Sequence, residues 1–122
     1  MRLMVVASVL LVLSTGIAGA VALPEGFLDP SNATLKTGKL QIDGRDEATV
    51  NFSVTNHASQ PVAIIAVDCT ALVEDEPIET NSHPVQNVGS GETAYGAVDF
   101  FKLRGNAGAT VRCRIEYIRI GF

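Results

Sequence analysis

Between residues 34 and 120 the chain is a succession of short runs in which apolar and polar positions alternate, the two-residue period of half-buried β-strands. Residues 48–56 show it most cleanly: Val50, Phe52 and Val54 point one way, and Thr49, Asn51, Ser53 and Thr55 the other. An earlier strand over 34–42 is closed by the Asp43-Gly44 turn signal. A polar loop follows over 56–60, and Pro61 opens a long strand over 62–73. That strand is apolar on nearly both faces, as a strand covered on each side requires. Glu74, Asp75 and Glu76 make an acidic turn before Pro77, and two weaker strands are predicted near 77–81 and 84–88. Gly89-Ser90-Gly91 turns the chain into a strand over 92–100, and a loop over 104–108 leads to the last strand, 109–120. No segment carries capped helical periodicity. Seven short strands at this spacing predict an all-β fold: a single antiparallel β-sandwich, immunoglobulin-like, with a small closed barrel as the fallback.

The first 22 residues follow a different pattern. Arg2 precedes an apolar run over 3–13 broken only by Ser8; Ser14, Thr15 and Gly16 come next, and then Ala-Gly-Ala-Val-Ala at 18–22. A charged start, an apolar stretch and small residues before a cut make up a secretory signal peptide. Ala20 and Ala22 place the cut after Ala22, while Ala18 and Ala20 offer a second register. Positions 3–23 would also just span a bilayer as an uncleaved anchor, but the polar break at 14–16 favours cleavage. The expected organisation is therefore a signal peptide over 1–22, an irregular lead-in over 23–33 containing Pro24, Gly26 and Pro30, and a sandwich domain over 34–122. The expected location is periplasmic or secreted, with no stable membrane insertion after cleavage.

At 122 residues the chain supports one domain, and its 47% apolar content argues against disorder. Without residues 1–22 it holds eight basic and thirteen acidic residues, a net charge of −5. Such a surface is unsuited to nucleic acid, whose phosphates need basic contacts.

Cys69 and Cys113 are the only cysteines, and in an oxidising compartment an even count reads as a disulfide. Strict alternation puts Ile65, Val67, Cys69, Ala71 and Val73 on one face of their strand. It does the same for Val111, Cys113, Ile115 and Tyr117, with Arg112, Arg114 and Glu116 turned the other way. Both thiols are thus expected to face inward. There is no C-x-x-C, and beyond Met4 there is no Met to complete a blue-copper site. No metal or other cofactor is expected.

Chemistry-bearing side chains are sparse. His57 and His83 fall in predicted loops, and with Ser59 or Ser82 and a carboxylate they would compose a hydrolase triad only on paper, without a G-x-S-x-G elbow. Glu74, Asp75, Glu76 and Glu79 lack the spacing of a calcium loop and read as a solvated turn that discourages edge pairing. The C-terminal part is basic: Lys102, Arg104, Arg112, Arg114 and Arg119 stand against Glu116 alone over 102–122, a local net of +4. Alternation along the last strand puts Arg112 and Arg114 on one face with Ile118 and Ile120. A mixed basic and apolar strip suits an acidic partner, an anionic glycan or a lipid headgroup. The alternative is that these arginines pair with the protein's own acidic turn or simply solubilise the outer face. Asn32-Ala33-Thr34 and Asn51-Phe52-Ser53 fit the glycosylation sequon, which matters only in a eukaryotic secretory pathway.

Residues 51–98, reading NFSVTNHASQPVAIIAVDCTALVEDEPIETNSHPVQNVGSGETAYGAV, resemble the FxLYD-type domains of bacterial exported proteins. The shared order is a strand ending in Asn and a polar turn (56–61), a long strand into an acidic turn (62–75), and a Gly-Glu closure (89–93). Thr70-Ala71-Leu72-Val73-Glu74 stands where the namesake Phe-x-Leu-Tyr-Asp would fall. The resemblance implies a β-sandwich and no catalytic residues. The leading expectation is a small, non-catalytic binding or assembly module of the bacterial envelope. It would meet an envelope or secreted protein through an edge strand or through the face of Arg112, Arg114 and Ile118. The alternative is a ligand-binding protein or atypical enzyme with a loop site at His57, His83 and the acidic turn 74–79. The first reading makes the last strand sensitive to substitution; the second makes the histidines so.

Overall fold

The computed structural model describes residues 23–42, 47–103 and 108–121. The signal peptide expected over 1–22, the Asp43-Gly44 turn and most of the 104–108 loop lie outside the described residues. Seven strands follow in order: β1 (Phe27–Leu28), β2 (Ala33–Ile42), β3 (Ala48–Asn56), β4 (Val62–Val73), β5 (Glu76–Val88), β6 (Thr93–Phe100) and β7 (Thr110–Arg119). They form two antiparallel sheets, ordered β1-β7-β4-β5 and β2-β3-β6. This is the four-plus-three sandwich arrangement, with β3 and β4 central in their sheets.

The core follows from the alternation. Val50, Phe52 and Val54 of β3 meet Ile65, Val67, Cys69 and Ala71 of β4, with Val98 and Phe100 of β6 beside them, all buried. Phe52 lies over Gly96, where an added Cβ would come 2.6 Å from the ring. Only a residue without a side chain leaves Phe52 this space, and through it the ring meets His83 edge-to-face at 5.9 Å.

Three elements differ from the sequence-based expectation. The weak strands near 77–81 and 84–88 are one continuous strand, β5, and His83 sits within it rather than in a loop. Pro77 and Pro84 do not break it, because β5 is an edge strand and a proline there removes no obligatory ladder donor. The lead-in over 23–33 is not wholly irregular either: it supplies β1 and a short 3-10 turn, Pro30–Asn32. Asp29 caps that turn, accepting from the Ser31 backbone N–H at 2.9 Å, and this bond holds its carboxyl below the usual carboxylate range.

The β4–β5 hairpin closes on Glu74 and Asp75, both in the left-handed region at φ 52° and 65°, with Val73 opposite Glu76. Two central residues of positive φ are the signature of the type I′ turn that matches strand twist, for which Asn-Gly is the preferred pair. Two side-chain-bearing residues in these positions are strained. Replacing them by Glu74→Asn with Asp75→Gly should raise stability by about 1 kcal/mol, read as a higher Tm in calorimetry. An unchanged or lower Tm would show that the turn does not limit the hairpin.

Each sheet edge is managed differently. The β2 edge carries a bulge at Gly38 and Lys39 and exposes Lys36 and Lys39, both deterrents to pairing. The β5 and β6 edges face one another across side-chain bridges. Asn81 Nδ2 donates to the Asp99 carbonyl at 2.7 Å, and Glu79 Oε1 accepts from the Phe101 and Lys102 N–H groups, each at 2.9 Å. On β7, strand β1 pairs only with Ile118 and Arg119; residues 110–117 have no hydrogen-bonded strand on that side, although β2 and the Pro30–Asn32 turn come close to β7.

Candidate binding strand

Cys69 and Cys113 form a disulfide between adjacent strands of one sheet, directly opposite in register, with their Cα atoms 4.0 Å apart. Antiparallel partners that exchange backbone hydrogen bonds stand about 5.5 Å apart, and those that do not about 4.5 Å. The cysteines are therefore a pair without mutual ladder bonds. It follows that Cys113, and Val111 two residues earlier, aim their N–H and C=O groups away from β4, at an edge where no strand pairs with them. Arg112 and Arg114 have the opposite parity and bond their backbones to Thr70 and Asp68.

The side chains divide with the same alternation. Val111, Cys113 and Ile115 face inward, half-buried against the core, while Arg112 and Arg114 are exposed on the outer face. Ile118 does not join them, contrary to the strict two-residue pattern. Val67 pairs with Ile115 and Ala66 with Tyr117, so Glu116 is an extra residue in β7 and the alternation shifts by one. Ile118 is turned into the core, 1% exposed, between Leu28 and Ile65. Tyr117 moves to the outer face, where its ring meets Phe27 edge-to-face at 5.8 Å.

The outer face around the arginines is mixed in charge. Arg114 Nη2 lies 3.3 Å from Asp68 Oδ2, but its side chain is 74% exposed, so the pair adds little stability. The Asp68 charge beside Glu116, with slight desolvation and a hydrogen bond between the two carboxyls, holds Glu116 above its usual range; Arg114 pulls it back in part. Arg112 has no ion-pair partner among the described residues, and the acidic turn does not reach it. Beside Arg112, a shallow depression of about 370 Å³ runs over Thr70, Leu72, Pro77 and Thr80, with the Thr70 and Thr80 hydroxyls hydrogen-bonded at 2.8 Å.

The other sequence candidates are not brought together. His57 lies at the start of the β3–β4 loop, its Nε2 2.7 Å from the Thr34 hydroxyl and its backbone N–H donating to the Asn32 carbonyl. His83 stands opposite Val67, midway along the hairpin. The acidic turn is at the far end of β4, a 12-residue strand, about 35 Å from the His57 end at the rise of a β-strand. Glu79 is occupied with the end of β6. Among the described residues, no three His, Cys, Asp or Glu side chains cluster as a metal site would require.

What the sequence did not disclose is the unpaired edge itself. Its unpaired atoms are backbone groups, which carry no side-chain signature, and the bulge that limits it leaves no mark in the hydrophobic pattern. No protein-family model matches this chain, and neither a curated protein nor a solved structure matches it.

Proposed function

We propose that the protein is a small exported module without catalytic function that binds or assembles with another envelope or secreted protein through β7. The observation that carries this reading is the contrast among edges. The β2 edge is bulged and lysine-bearing, β5 and β6 bridge each other, and residues 110–117 of β7 have no hydrogen-bonded strand on the side away from β4, where β2 and the Pro30–Asn32 turn lie close by, beside two exposed arginines. An open, unblunted strand edge is a template for pairing with another chain. Export is supported by the disulfide, a bond that persists in oxidising compartments, and by the signal-like pattern of residues 1–22. Among the described residues no helix is long and apolar enough to cross a membrane. The likeness to FxLYD-type domains belongs to the same reading, since Asn56, the acidic turn and Gly89-to-Glu92 are the features that shape the loops and hairpin of this sandwich.

The test is cross-linking capture from the native envelope with tagged protein, in wild type and in the double variant Arg112→Glu plus Arg114→Glu. Both substitutions are on exposed side chains, but Arg114→Glu sets a third carboxylate opposite Asp68 and beside Glu116, so the variant should lose a little stability and is compared at a temperature where both proteins are folded. Capture should be saturable in wild type and at least tenfold weaker in the variant, with a wild-type salt dependence that the variant loses. Equal capture by both would remove the arginine face from the reading, and saturable capture by neither would remove the binding module itself.

A further inference from the structure

The preceding reading makes β7 the binding strand; resting on it, the geometry points to what that strand takes. We infer that residues 110–115 of β7 accept an added β-strand from a partner in which acidic and apolar residues alternate.

Three observations converge on this segment. The first is the backbone. Val111 and Cys113 each direct an N–H and a C=O away from β4, where no strand is paired with them, a parity fixed by the 4.0 Å Cα separation of the disulfide pair. An added strand replaces water on these four groups with ladder bonds. The second is the inward row: Val111, Cys113 and Ile115 pack on the core yet remain partly exposed. Residues of the new strand placed opposite them would complete the sheet's inner face, and those residues must be apolar. The third is the outward row, Arg112 and Arg114, of which, among the described residues, only Arg114 has a carboxylate partner, Asp68. Cross-strand neighbours on this face sit within reach of the guanidinium groups, so opposite charge there is favourable and like charge is not. Because successive residues of a strand alternate between faces, the two rows together demand an alternating acidic and apolar sequence.

The same rows argue against a second copy of this chain as the occupant. A symmetric antiparallel pairing of two β7 edges about Cys113 would bring Arg112 of each copy opposite Arg114 of the other, on the face where like charges oppose. The bulge at Glu116 and the cover supplied by β1 at Ile118 and Arg119 mark where the added strand stops.

The experiment titrates three blocked eight-residue peptides into isotope-labelled, disulfide-bonded protein and follows backbone amides by NMR. The probes alternate valine with glutamate, alternate valine with lysine, or carry four valines followed by four glutamates. With the alternating valine–glutamate peptide, the Val111 and Cys113 amides should shift and exchange with solvent at least tenfold more slowly. The Arg112 and Arg114 amides, already in the ladder with β4, should show no comparable gain. The other two peptides should leave all four unchanged. The variant Val111→Pro removes one edge N–H without touching the β4–β7 ladder, and should weaken binding at least tenfold. Were that variant to unfold, protection of Cys113 in the wild type would decide.

Peptide binding without slowed exchange at Val111 and Cys113 would overturn strand addition. If that binding were also lost in Arg112→Glu plus Arg114→Glu, the arginine face would still stand as the binding surface. Equal binding of the lysine peptide, or no binding by any peptide, would overturn the acidic–apolar partner. Elution of the protein alone as a dimer with Val111 and Cys113 already protected would make a second copy the occupant, and that too would overturn it.

Discussion

Replacing Cys69 and Cys113 together by alanine should lower the unfolding free energy by about 4 kcal/mol. The disulfide closes a loop with a sequence separation of 44 between neighbouring strands of the larger sheet, β4 and β7. In the chain-entropy account its contribution acts mainly on the unfolded ensemble, which loses the freedom to separate these positions. A second contribution adds in the folded state. Cys69 is fully buried among Ile65, Val67 and Ala71, so alanine there leaves unfilled space. Small domains are stable by roughly 5–15 kcal/mol, so this loss takes a large part of the total and should bring the variant close to unfolding at physiological temperature. Reducing the wild-type protein should reproduce the entropic part without the cavity. Urea titrations of the oxidised, reduced and doubly substituted forms separate the two contributions. A loss below about 1 kcal/mol would mean that the ladder alone fixes the register and that the unfolded chain is already compact there.

That register is also where sequence and structure part company. Strands β3 and β4 are readable from the two-residue period, because each buries a whole row of side chains in the core. The inward orientation of both cysteines is readable for the same reason. Strand β5 looks like two weak pieces because its inner row holds Glu79, Asn81 and His83, polar residues that serve the β6 edge and the Phe52 ring rather than the core. Strand β1, two residues long, is beneath any periodic signal. The larger departure is Ile118. A single unpaired residue, Glu116, moves it from the expected arginine face into the core, and no property of Glu116 announces the bulge. Arg112 and Arg114, N-terminal to the bulge, keep the face the alternation assigns them. The candidate site was therefore legible as far as its charges and not as far as its edge. Charges belong to side chains, whereas an edge is defined by which strand fails to arrive.

Asn56 carries the other large expected effect. It is the only buried polar residue among those described, at 0% exposure, and it joins three segments that share no regular structure. Its side-chain Nδ2 donates to the carbonyls of Gln60, Val88 and Gly89 at 3.0, 3.1 and 3.2 Å, while Oδ1 accepts from the Ala58 N–H at 2.9 Å. Its backbone N–H donates to the Glu92 carbonyl at 3.0 Å, and its carbonyl accepts from Gly91 at 2.7 Å. The β3–β4 loop and the β5–β6 turn are thereby tied to one side chain. Asn56→Ala strands buried carbonyls and one N–H, and should cost about 2–4 kcal/mol. Asn56→Asp keeps the shape and the Ala58 bond but aims a carboxylate at three carbonyl oxygens with no donor, so it should cost more than alanine at neutral pH.

The pH dependence distinguishes the two variants. Burial and the facing carbonyls raise the introduced carboxyl's pKa in the folded state above its unfolded value of about 3.9. Between those two values the folded state holds a proton that the unfolded state has released, so stability falls as pH rises through that interval and recovers on acidification. The alanine variant has no such group, and its deficit relative to wild type should stay level across the same range. Urea midpoints of the three proteins near pH 4 and near pH 7 are the measurement; an aspartate variant no worse than alanine at the higher pH would mean that water, not the three carbonyls, faces this side chain. Asn56 and the β3–β4 loop lie at the end of β4 where Val62 begins, while Val111 pairs with Ala71 near the other end. If β7 binds as proposed, the folded fraction of either variant should bind there as the wild type does, because the groups proposed to meet a partner strand are fixed by the β4 ladder and the disulfide rather than by the loops.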